Sequence, residues 1–151
     1  MKDRAPRPAK MKTMSTRAGR IQQGLWAPAI ALVVVQVVHG AIPGPGEKGG
    51  PPIGLIVGAI FLIASVAVLL GLNARRAWAR PLLAATGAAV AVGFLLYHAI
   101  PVKTPLSYPY WGHGQASAGV GQWAPVIAAI AVGVWCALAA TERAPRLSRS
   151  S

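Results

Sequence analysis

The chain has 151 residues, 54% of them hydrophobic and 12% charged, with 15 Lys and Arg against 3 Asp and Glu. Soluble domains carry about 25% charged residues, so this composition excludes an ordinary water-soluble monomer. A single cysteine excludes an intrachain disulfide framework and a cysteine-based zinc site.

Residues 1–20 are basic and contain proline without hydrophobic periodicity, which predicts a disordered tail. Four apolar blocks follow: Ile21–Gly40, Pro52–Leu72, Pro81–Ile100 and Gly121–Ala140. None contains Asp, Glu, Lys or Arg, and each is 20 or 21 residues long. A hydrocarbon core about 30 Å thick needs about 20 residues of helix at 1.5 Å each. In that medium every backbone N–H and C=O needs an internal partner, so the blocks are expected to be α-helical. The expected fold is an all-α integral membrane protein, a four-transmembrane-helix antiparallel bundle over residues 21–140 with a polar tail at 141–151. Block one is the least regular, because Gln22, Gln23 and Gln36 interrupt it. It is read as a span, since no clear A-x-A cleavage site follows it. In block two Ser65 is the only polar side chain between Ile53 and Leu72.

Punctuation supports these limits. Pro28, Pro81 and Pro125 each follow a Trp closely, and each is placed near a helix start, where a missing N–H is not needed. Ala41–Pro51 reads as a turn-rich loop, Asn73–Arg80 as a tight hairpin, and Pro101–Val120 as a loop with room for structure of its own.

Cation placement sets the expected orientation. The N-terminal tail, the second loop and the C-terminal tail together hold 13 Lys and Arg; the first and third loops hold only Lys48 and Lys103. Cytoplasmic loops carry the excess, so both termini are expected in the cytoplasm of a multi-pass cell-membrane protein. The expected partners are the bilayer and its anionic cytoplasmic headgroups, with a membrane-protein partner or a homodimer as a further option. Nucleic acid is not expected, because no aromatic residues interleave with the basic tail to stack bases.

Signals for chemistry are sparse. No carboxylate lies inside a span to couple protons or cations. There is no phosphate loop, nucleophile elbow or Cys pair, so nothing marks the chain as an enzyme, and no cofactor is expected outright. All three histidines map to the outer rim. Gln36, His39, Tyr97, His98, Tyr108, Tyr110, Trp111 and His113 form the candidate ligand-binding set, with Gln122 on the same rim. His39, His98 and His113 are weak candidates for a metal or haem iron. Tyr108, Tyr110, Trp111 and His113 belong to a proline-stiffened loop that is read either as a lid or as a headgroup-level surface. His39 and His98 are expected to face each other if blocks one and three are neighbours.

Small residues at four-residue spacing mark helix-packing candidates: Gly54, Gly58, Ala89, Gly93 and Gly133. Cys136 reads as a small packing residue. The layout resembles that of many small four-span bacterial inner-membrane proteins, and no motif carries an activity over from them. The leading expectation is a non-enzymatic accessory or interaction protein. The alternative is a binding or transport module for a small molecule or lipid, and a third is a metal or haem protein using the outer histidines.

Overall fold

The computed structural model describes residues 23–42, 52–101 and 119–142. Among them the chain is wholly helical, with no strand. Helix α1 is Trp26–Ala41, α2 is Pro52–Asn73, α3 is Ala79–Phe94 continued by a π-helical turn at Leu95–Ala99, and α4 is Val120–Thr141. Three of these, Ile53–Asn73, Ala79–Ala99 and Val120–Thr141, are long and apolar enough to cross a membrane. Their ends fall within two residues of the expected limits. The regular part of α1 has 16 residues, about 24 Å at 1.5 Å per residue, and is shorter than the block Ile21–Gly40. Residues 21–22 lie outside the described residues; Gln23 and Gly24 are exposed, and the regular helix opens only at Trp26.

Proline placement also differs from expectation at one site. Pro28 and Pro81 stand third in their helices, where no intrahelical N–H is required. Pro125 stands sixth in α4, past the first turn. Its ring faces the carbonyl of the residue four back. That residue is Gly121, where an added Cβ would meet no neighbouring group within 4 Å among the described residues.

The turn from α2 to α3 has a defined cap. Arg76 N–H bonds Gly71 C=O at 2.8 Å and Arg75 N–H bonds Leu72 C=O at 3.1 Å. This is the Schellman pattern, which places the intervening residue in the left-handed region. Arg75 holds that place at φ 53°, although it carries a Cβ. Gly71 then lies under the Trp78 ring, whose atoms sit 2.6 and 2.7 Å from where a Cβ would project.

Each helix packs on its neighbours in chain order, and α1 returns to α4. The start of α2 meets the end of α3 through Gly54 and Tyr97, and the end of α2 meets the start of α3 through Gly71 and Ala79. Arg80 at the start of α3 donates from Nε to Ala140 C=O at 2.7 Å and from a terminal nitrogen to Glu142 C=O. It thereby serves carbonyls at the end of α4 that have no intrahelical partner. Cys136 Sγ–H donates to Pro28 C=O at 3.2 Å, tying α4 to α1.

The closest approach is between α3 and α4. A Cβ on Gly87 would lie 2.6 Å from Cys136 Cβ and from Gly133 C=O; one on Gly133 would lie 2.6 Å from Gly87 C=O. Around this crossing Leu83, Val90, Val126, Ala129 and Cys136 are buried. Gly54 and Gly93 also lie at contacts, against Tyr97 and Phe61. Two other packing candidates lie away from these contacts: Gly58 is exposed, an added Cβ there meeting nothing within 4 Å among the described residues, and Ala89 is exposed. Neither seats a neighbouring helix of this chain. The outward surface of α2 is apolar, with Leu55 and Ile63 among its most exposed residues. Contiguous apolar surface of this kind suits hydrocarbon and not water, which fits a small membrane protein.

Candidate functional site

The polar residues gather at the end where α1 and α3 finish. Gln36 and His39 are three apart in α1 and so share one face. The Gln36 amide donates from Nε2 to Leu32 C=O at 2.9 Å and to Ser65 Oγ at 2.8 Å. Ser65, fully buried in α2, donates from Oγ to Phe61 C=O at 2.8 Å. One turn further along α1, the His39 ring meets Phe94 edge-on at 4.7 Å and His98 at 5.0 Å between centroids. Tyr97 meets His98 edge-on at 4.7 Å. His98 is 5% exposed.

The backbone explains how four rings fit there. The final turn of α3 is π-helical, closed by Ile100 N–H bonding Leu95 C=O at 3.2 Å. A π-turn accommodates an extra residue per turn and recurs at functional sites. Here it carries Tyr97 and His98. Tyr97 in turn extends over Gly54, where a Cβ would lie 2.6 Å from its hydroxyl. A larger residue at Gly54 would displace the phenol.

Two buried atoms in the cluster have no hydrogen-bond partner among the described residues: Gln36 Oε1 and His39 Nδ1. Leaving a buried polar atom unsatisfied costs about 1–3 kcal/mol, and such atoms in folded proteins call for a ligand, a water or an ion to complete them.

Of the expected set, Gln36, His39, Tyr97 and His98 come together. Tyr108, Tyr110, Trp111 and His113 lie outside the described residues. Gln122 is engaged elsewhere: its Oε1 accepts from Gly119 N–H at 2.7 Å and caps the start of α4. Among the described residues no three His, Cys, Asp or Glu side chains gather to hold a metal ion. Sequence reasoning did not assign Phe94 and Ser65 to the site. Ser65 had a signal, as the lone polar group of its block. Phe94 had only its position four residues before His98.

No family model matches the chain, and neither a curated protein nor a solved structure matches it.

Proposed function

We propose that the chain is an integral inner-membrane protein, a four-helix antiparallel bundle with both termini in the cytoplasm, that binds a small hydrogen-bonding molecule at its outer rim. The end-to-end pairings of α2 with α3, of α3 with α4 through Arg80, and of α1 with α4 through Cys136 support the antiparallel bundle. The 13 to 2 division of Lys and Arg supports the orientation. A regular α1 of about 24 Å is short for a 30 Å core, a mismatch that local thinning of the bilayer accommodates at modest cost. This orientation puts the His39–His98 end at the outer face.

One observation carries the binding role: Gln36 Oε1 and His39 Nδ1 are buried and have no hydrogen-bond partner among the described residues, beside a second imidazole and a phenol. Convergent polar groups beside apolar walls are the usual mark of a ligand site. Helix contacts alone would not require them, since α3 and α4 already meet through Gly87 and Gly133. A second reading, a metal ion, is favoured by ring spacing. Two imidazoles on one tetrahedral ion, each nitrogen about 2.0–2.1 Å from it, place their centroids about 5 Å apart, and His39 and His98 are at 5.0 Å.

The test is mass spectrometry of small molecules released on denaturing protein purified from native membrane, beside metal analysis of the same sample. An organic molecule near one per chain, lost in Gln36→Leu and His39→Leu, is expected. A metal lost in His39→Leu and His98→Leu favours the second reading. Release of neither from the wild type contradicts both.

A further inference from the structure

At the opposite end of the molecule α3 and α4 leave an open groove lined by Arg80, Ala84, Ala85, Ala88, Ala137 and Ala140. Its walls are largely hydrocarbon, because five of its eight lining side chains are alanine methyl groups, with Pro81 and Thr141 completing them beside Arg80. Ala85 and Ala88 are exposed, Ala84 and Ala137 are half-buried, and Ala140 is buried. From Arg80 to Ala88 it runs eight residues, about 12 Å along the helix, somewhat less than one leaflet of a core about 30 Å thick.

The mouth of the groove is basic. Arg80 reaches across it from α3 to the last carbonyls of α4. Two of the five N–H donors of a guanidinium are spent there among the described residues, and the bridge fixes the charge at the groove's end. Arg75 and Arg76 stand exposed in the adjoining turn. Glu142 is the one carboxylate among the described residues, and it meets Arg80 through its backbone carbonyl. Arginine forks suit phosphate oxygens, and basic pockets between helices on the cytoplasmic side are typical headgroup sites.

We infer that this groove is a binding site for one anionic phospholipid, with an acyl chain lying along the alanines and the phosphate held by Arg80 and its neighbours in the turn. A docking helix fits less well. A helix packed at 8–10 Å would bring hydrocarbon and no anion to the arginines at the mouth, whereas a phospholipid supplies both an acyl chain and a phosphate. The inference rests on the membrane reading proposed above, and it uses neither His39 nor His98.

The test is native mass spectrometry of full-length protein released from bilayers containing equal phosphatidylglycerol and phosphatidylcholine. Wild type is expected to retain one phosphatidylglycerol, with a preference over phosphatidylcholine of about tenfold, the effect of one to two basic residues near a headgroup. Ala85→Leu and Ala88→Leu fill the groove and should cut retention about tenfold, while Ala89→Leu, outside the lining, leaves it unchanged. Arg76→Gln should lower the headgroup preference without disturbing the Arg80 bridge. Equal retention of the two lipids by the wild type, or undiminished retention in Ala85→Leu and Ala88→Leu, overturns the site. Protein that stays folded and monodisperse without detergent or lipid instead overturns the membrane reading itself.

Discussion

Replacing Gly133 by alanine puts one methyl group at the tightest point of the α3–α4 crossing. Its Cβ would lie 2.6 Å from Gly87 C=O, 2.9 Å from Ala91 N and 3.0 Å from Ala91 Cβ. These atoms are backbone or the first side-chain carbon, so none can swing aside. Ordinary contact begins at 3.4 Å, so the helices must part by about 0.8 Å. Gaps of 0.5–1 Å forfeit a quarter to a half of each dispersion contact, and Val90, Val126, Ala129 and Cys136 all pack around this point. Overpacking costs typically about 1–3 kcal/mol, offset by up to about 1 kcal/mol of helix propensity gained on leaving glycine. Gly133→Ala is therefore expected to destabilise by about 1–2 kcal/mol, roughly tenfold in the folding equilibrium. Gly58→Ala meets open space and should be neutral or slightly stabilising. Gly87→Ala should resemble Gly133→Ala, and the double variant should cost less than the sum, because one separation relieves both clashes. The assay is reversible unfolding in mixed micelles by titration with a denaturing detergent, followed by circular dichroism. Equal midpoints for Gly58→Ala and Gly133→Ala would refute the close approach of α3 and α4.

Arg75→Gly removes the Cβ from a left-handed residue in the Schellman turn, where an L side chain costs roughly 1–2 kcal/mol. After the added freedom of the unfolded chain, a gain of about 0.5–1 kcal/mol is expected in the same unfolding assay; a loss would show that the turn depends on the arginine. Gln36→Leu removes the Ser65 hydrogen bond but also a buried acceptor with no partner among the described residues, and Ser65 keeps its bond to Phe61 C=O. Its unfolding midpoint should move by no more than the equivalent of about 1 kcal/mol, while ligand release is lost; a large fall in stability would mark Gln36 as structural.

The helical segments were legible because charges and turn residues mark their ends. Lys and Arg are absent from all four blocks, and the Pro- and Gly-rich sequence AIPGPGEKGGP marks a break between the first two. The packing faces were not legible. In a helix apolar on every side, no stripe distinguishes lipid contact from helix contact, so four-residue spacing drew in Gly58 and Ala89 and passed over Gly87. Pro125 falls past the first turn because α4 begins at Val120, one residue before the expected start at Gly121, and the Trp-Ala-Pro signal follows that start instead of marking it. Gln36, His39, Tyr97 and His98 were legible by residue type and by depth. Their convergence needs the register of α1 against α2 and α3. That register follows from contacts such as Tyr97 over Gly54, which no local spacing encodes.

The sidedness of the His39–His98 end can be measured directly by labelling engineered cysteines with a membrane-impermeant maleimide in intact cells. Gly40, one residue from His39, is exposed, an added Cβ there meeting nothing within 4 Å among the described residues, and Arg76 is exposed in the opposite turn. Native Cys136 is buried and contributes no background. If the helices form an antiparallel bundle with an outer-rim site, Gly40→Cys labels in intact cells and Arg76→Cys labels only after permeabilisation. Labelling of Arg76→Cys in intact cells, with Gly40→Cys protected, would place the histidines on the cytoplasmic side and contradict the proposed outer site.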